Sequence, residues 1–163
     1  MFIELATRQV HLAGITPNPT GEWATQQARN IAETLVRAGP IRFLIHDRDS
    51  KFTATFDEVF RTEGIRAIRT PVPAPNANAL TERWIGTARR ECLDRLLILN
   101  RRHLEQVLPA YIEHYNTHRP HRSLQQHPPA TDAQRDSATV LTLDRIRRRD
   151  ILGGLIHEYK NAA

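Results

Sequence analysis

Apolar positions along the chain alternate between two spacings. Phe2 to Leu5 and Val10 to Ile15 are short apolar runs divided by Thr7-Arg8-Gln9, which predicts a β-hairpin. Ala24, Ala28, Ile31, Ala32, Leu35 and Val36 then recur at helical spacing until Gly39-Pro40 stops them. Ile41 to Ile45 is a continuous apolar run that predicts a buried strand, and it leads straight into His46-Asp47-Arg48-Asp49. Thr55-Phe56-Asp57-Glu58 has the order of a capping box, and the helix it predicts closes at Gly64. Ile65 to Ile68 predicts another strand.

Pro71, Pro73 and Pro75 predict an extended loop, because each proline fixes φ and removes a backbone donor. A helix resumes near Leu80 and runs past Cys92. Another spans roughly 102 to 115, where Leu104, Val107, Leu108, Tyr111, Ile112 and Tyr115 form an apolar stripe. Strands alternating with helices predict an α/β layer fold. The expected division is a domain over 1–124, a polar proline-bearing linker over 125–139, and a small basic tail over 140–163 that contains Arg145-Ile146-Arg147-Arg148-Arg149.

Composition adds a direction. The 163 residues carry 23 basic and 18 acidic side chains, a formal charge of +5. Only Lys51 and Lys160 are lysines; the other basic residues are arginines, whose planar fork suits phosphate. This leans toward a polyanionic partner, although wholesale arginine use across a proteome gives the same composition. The single cysteine, Cys92, excludes an internal disulfide and a multi-cysteine zinc knuckle, and reads as a small buried residue. No signal peptide and no membrane span is evident, so the expected location is cytoplasmic, with no membrane partner. No serine lies in a G-x-S-x-G elbow, which argues against serine hydrolysis.

Two carboxylates stand out. Asp47 follows a strand, where ligand sites of α/β sheets gather. Glu82 falls in the first turn of the helix after the proline loop. Taken singly, Asp47-Arg48-Asp49-Ser50 also reads as a solvated turn, and Glu82 as an acid favoured by the helix dipole. Together, with 34 residues between them, a strand-end Asp and a helix-borne Glu can converge on a divalent cation.

Four segments then carry a family resemblance. Asp47-Arg48-Asp49-Ser50-Lys51-Phe52 resembles the second-aspartate motif of insertion-sequence transposases and retroviral-type integrases. Asn78-Ala79-Leu80-Thr81-Glu82-Arg83-Trp84 resembles their N-x-x-x-E-R segment. Arg89-Arg90-Glu91-Cys92-Leu93 is similar to its continuation. His114-Tyr115-Asn116 with Arg119-Pro120-His121-Arg122-Ser123-Leu124 resembles the Y-N-x-x-R-P-H-x-x-L signature. The order is the family's, and so nearly is the separation of about 35 residues between the two acids.

The resemblance, to the DDE integrase/transposase catalytic core, implies a ribonuclease H-like mixed sheet with helices on both faces. It implies Asp47 and Glu82 as catalytic residues and as ligands of Mg²⁺ or Mn²⁺ in DNA hydrolysis and strand transfer. It also implies DNA and a homo-oligomer or full-length transposase as partners. The family's first carboxylate lies on a first strand some fifty to sixty residues before the second. Here 46 residues precede Asp47, so that strand is expected to be missing and the core N-terminally truncated, with little or no strand transfer by this polypeptide alone. The second reading is a non-catalytic DNA-binding or oligomerising fragment.

Between Arg83 and Arg122 eight arginines face four acids. Arg83, Arg89, Arg90, Lys51, Arg119 and Arg122 are the expected DNA contacts. An ordinary solvated helix face with pairs such as Glu91–Arg95 competes with that reading for each residue. His114, His118 and His121 read better as non-ligands, because no zinc-protease Glu accompanies them and Pro120 breaks the helix. Trp23 and Trp84 read as packing groups.

Overall fold

The computed structural model describes residues 1–39, 41–71, 79–130 and 145–161. They divide into two compact units, Met1–Phe2 with His11–Arg83, and Ile3–Val10 with Trp84–Ala163. Elements run β1 (Phe2–Ile3), β2 (Val10–His11), α1 (Gly21–Ala38), β3 (Phe43–His46), α2 (Ala54–Thr62), β4 (Arg66–Arg69), α3 (Ala79–Glu91), α4 (Arg101–Thr117), β5 (Ile146–Ile151) and β6 (Ile156–Asn161). Among the described residues the fold is mixed α/β, with four α-helices and small sheets. Among the described residues the strands pair as β1-β2, β3-β4 and β5-β6, three two-stranded sheets rather than one continuous ladder. The β2 strand stops at His11, where the apolar pattern had predicted it to continue to Ile15.

In the first unit, Thr20 caps α1 by accepting the Trp23 N–H at 3.1 Å. Ala24, Ala28, Ile31, Ala32 and Leu35 then share one buried face, packed with Phe56, Phe60 and Ile65. Burying these side chains supplies the main stabilisation of the unit, at about 1.5–3 kcal/mol for each large one. Trp23 packs against this core, as a packing group should. The cap of α2 is Thr53, whose side chain accepts the Phe56 N–H, and Thr55 lies inside the helix instead of opening it. A threonine three residues before a free helical N–H satisfies it, and Thr53 is the residue at that spacing from Phe56. Gly64, at φ 75°, turns the chain from α2 into β4.

The β3 and β4 strands pair in parallel, with Ile45 opposite Ile68 and His46 opposite Arg69. The α2 crossover makes this a βαβ unit. The strand β3 was expected to be buried throughout. Instead Leu44 and His46 turn inward while Phe43, Ile45 and Ile68 stand exposed at 49%, 43% and 38%. A strand presents alternate residues to opposite faces, and core packing takes only one of them here.

In the second unit, Trp84, Ala88 and Cys92 are buried, as are Val107, Tyr111, Ile112 and Tyr115 of α4. Leu104 and Leu108 of the predicted stripe are half-buried at its margin. The Trp84 and Tyr115 rings meet edge to face at 6.1 Å. Asn116 holds Val10 from both sides, accepting its N–H at 3.0 Å and donating to its carbonyl at 2.9 Å. Residues 125–130 are the first of the expected linker over 125–139. The Ala130 N–H donates to the Asn116 carbonyl at 2.8 Å, and His121 bridges to His127. The remainder of that linker, and the tail up to residue 144, lie outside the described residues. The antiparallel pair β5-β6 turns at Gly153 and Gly154, both with positive φ.

Candidate functional site

Asp47 follows directly on β3, in the first unit, and is half-buried. Its position is held from the strand. His46 is 6% exposed, and its Nδ1 bonds the Asp47 carbonyl at 2.7 Å. The other ring nitrogen, Nε2, meets Asp57 Oδ1 of α2 at 2.9 Å. The ring packs against Phe52 at 5.0 Å and Phe56 at 5.7 Å. Asp57 also accepts from Arg69 of β4 at 3.1 Å. The end of β3 is therefore tied to α2 and β4 just where Asp47 leaves it.

The turn that follows orders the neighbouring acids. Asp47 Oδ1 accepts the Asp49 N–H at 3.1 Å, and Asp49 Oδ1 accepts the Lys51 N–H at 3.1 Å. The Lys51 ammonium pairs with the other Asp49 oxygen. These hydrogen bonds and the lysine charge hold the Asp49 carboxyl below its ordinary value. Asp49 is thus paired within the loop. Arg48 donates Nε–H to the Thr70 carbonyl at 2.9 Å.

Glu82 stands exposed in the first turn of α3, followed by exposed Arg83. Asn78, the first residue of its motif, lies outside the described residues, as do Pro73 and Pro75. Asp47 and Glu82 fall in the same compact unit. Arg89 and Arg90 follow on the same helix and are exposed. Arg89 approaches Asp94 at 3.7 Å, and Arg90 reaches the Thr87 hydroxyl at 3.5 Å. Arg122 is exposed near the end of the signature segment.

Arg119 has a different situation. Its Nε and Nη2 donate to the two carboxylate oxygens of Glu91 at 2.8 and 2.6 Å, and its guanidinium lies 5.6 Å from the Tyr115 ring centroid. The Tyr111 hydroxyl donates to the same carboxylate at 2.8 Å. Burial pushes the Glu91 carboxyl up, but the hydrogen bonds from Arg119 and Tyr111, with the Arg119 and Arg90 charges, outweigh it and hold Glu91 below its ordinary value. The Glu91–Arg95 pair expected from helical spacing does not form; Arg95 donates to the Arg90 carbonyl instead. The i,i+4 spacing made that pairing possible, and only the folded chain brings Arg119 within reach.

Cys92 is fully buried, and burial pushes its thiol up to about 11, so it is not a nucleophile at neutral pH. Of the three histidines, His121 packs edge-on against Tyr115 at 4.6 Å. His114 and His118 instead meet Glu158 of β6, at 3.2 and 3.1 Å. Sequence spacing could not supply that carboxylate, which is forty residues and one hairpin away from His118. No described helix is long and apolar enough to cross a membrane.

Residues 63–129 match a family model described as integrase core domain. The match takes in Glu82, Arg83, Arg89, Arg90, Arg119 and Arg122, and begins after Asp47 and Lys51. No curated protein matches the chain.

Proposed function

We propose, from the match of residues 63–129 to an integrase core domain model, that this chain acts on DNA as part of a DDE-type recombinase core. Asp47 and Glu82 are two of its cation-holding carboxylates. The observation that carries the proposal is the position of Glu82. It lies inside the matched segment, on the first turn of α3, in the same compact unit as the strand-end Asp47. On this reading the β3-α2-β4 unit is a piece of a ribonuclease H-like sheet.

The donor set fits a hard divalent cation. Both groups are carboxylates, and oxygen donors suit Mg²⁺ or Mn²⁺. A cation bound there would activate water or a 3′-hydroxyl and stabilise the departing oxygen of a phosphodiester. The protein's own part is positioning. His46 and Asp57 hold the end of β3, Lys51 neutralises the competing Asp49, and α3 presents Glu82 beside Arg83.

Arg83, Arg89, Arg90 and Arg122 are the proposed phosphate contacts; the Lys51 ammonium is already paired with Asp49. Arg119 is not among them here, because its guanidinium fork is already engaged by Glu91. It positions the signature segment against α3 instead.

Titrating labelled duplex DNA at several salt concentrations tests the binding half of the proposal. Binding should weaken steeply with salt, and the triple change Arg83→Ala, Arg89→Ala, Arg90→Ala should flatten the log–log slope by about 0.9 for each phosphate no longer neutralised. Mg²⁺- or Mn²⁺-dependent nicking or joining of DNA ends tests the chemical half. Asp47→Asn and Glu82→Gln should remove it while DNA binding persists. Salt-sensitive binding with no metal-dependent chemistry would assign the chain to non-catalytic DNA binding. No DNA binding at all would overturn both.

A further inference from the structure

We propose that His114, His118 and Glu158 form a transition-metal site, suited to Zn²⁺, that fastens the β5-β6 hairpin to α4. His114 lies in the last turn of α4 and His118, four residues on, is the residue that caps its end. The rings lie parallel, at 4° and 6.1 Å between centroids. Glu158 reaches both from β6. Its Oε1 lies 3.2 Å from His114 Nδ1 and 3.1 Å from His118 Nδ1. Candidate ligand atoms of all three residues lie within 4.8 Å of one another.

The distances have the size that a metal shell requires. With bonds of about 2.0–2.1 Å in a tetrahedron, neighbouring donors sit about 3.3 Å apart. Both observed Nδ1–Oε1 separations are close to that figure, so an ion needs only small movements of the three side chains. The burial of Glu158 points the same way. At 3% exposure its carboxylate has lost its water and needs a compensating charge. Among the described residues its ion-pair partners are these two imidazoles, both aimed at one oxygen. A divalent cation held by all three would supply that charge.

The donor chemistry selects the ion. Two imidazole nitrogens and one carboxylate oxygen are the His₂Glu set that Zn²⁺ takes with a fourth, open position. Imidazole favours Zn²⁺, Co²⁺ or Ni²⁺ over Mg²⁺. The ion is therefore of another class than the one proposed for Asp47 and Glu82. An open cleft lined by Glu91, Arg95, Tyr111, Leu155, Ile156 and His157 borders His114. The Thr117 hydroxyl, 2.6 Å from His118 Nδ1, competes with the ion for that nitrogen. His118 also feels Glu113 and Lys160, whose charges oppose each other.

The test uses the full chain, stripped with chelator and titrated with ZnCl₂ and CoCl₂. One Zn²⁺ should bind per chain, and millimolar Mg²⁺ should not displace it. His114→Ala, His118→Ala and Glu158→Gln should each weaken binding at least about 10-fold. His103→Ala and Asp47→Asn should leave it unchanged. Imidazole ¹⁵N shifts of the unmutated chain should show two of the eight histidines taking up metal-bound values, and they read the site even if a variant fails to fold. Stoichiometric Zn²⁺ that survives both histidine changes, or disappears in Asp47→Asn, would overturn the proposal. So would the absence of Zn²⁺ binding.

Discussion

Arg119 grips Glu91 with both arms of its guanidinium, at 2.8 and 2.6 Å, across 28 residues of sequence. The pair joins the loop after α4 to the last residue of α3, and Tyr111 closes it with a third hydrogen bond. Both charges are partly solvated, at 28% and 39% side-chain exposure, which limits what the pair contributes. Arg119→Ala should destabilise the chain by about 1–2 kcal/mol, because it removes a fork to a partly buried carboxylate. Arg119→Lys should recover less than half of that, because an ammonium cannot reproduce the two parallel bonds. Denaturant midpoints at constant slope would check both values. Equal stability of Arg119→Ala and the unsubstituted chain would show that the pair contributes nothing.

The same carboxylate gives the protein a pH dependence whose sign is set. Glu91 is held below its ordinary value of 4.5 in the folded chain. A depressed carboxyl contributes stability that is present above the unfolded value and disappears as pH falls through the folded one. Stability should therefore decline below about pH 4.5, more steeply in the unsubstituted chain than in Glu91→Gln. Denaturant titrations between about pH 3 and 6 would read this difference. Parallel curves would assign the acid loss to other carboxylates, such as Asp49 and Asp150, which are also lowered.

His46 links the core of the first unit to the end of β3. Its ring packs against Phe52 and Phe56, and its two nitrogens engage the Asp47 carbonyl and Asp57. His46→Ala should cost about 2–3 kcal/mol, because it leaves a cavity and deprives Asp57 of a partner. Asp57→Asn should cost less, since an amide still bonds the ring. A thermal midpoint that moves more for Asp57→Asn than for His46→Ala would contradict this account.

Much of the local structure was legible in the sequence. Periodic apolar residues placed α1 and α4, because a helix returns the same face every 3.6 residues whatever it later packs on. The ordered motifs pointed to the integrase core domain model that residues 63–129 match, and an Asp following an apolar run located Asp47 at a strand end. The burial of Trp84 and Cys92 followed from residue type.

Partner choice was not legible. Glu91 had Arg95 within helical reach, and the fold took Arg119. No zinc-protease Glu accompanies His114 and His118 in the sequence, and the β5-β6 hairpin brought Glu158, 44 residues beyond His114. Val10 is held by Asn116 from 106 residues away. The exposed side of β3 could not be read either, because a continuous apolar run does not say how many of its faces will be covered. Sequence spacing encodes which residues share a face, since that depends only on backbone geometry. Which face meets which, and hence which charges are neutralised and which donors converge, depends on packing between distant segments, and only the tertiary structure decided it.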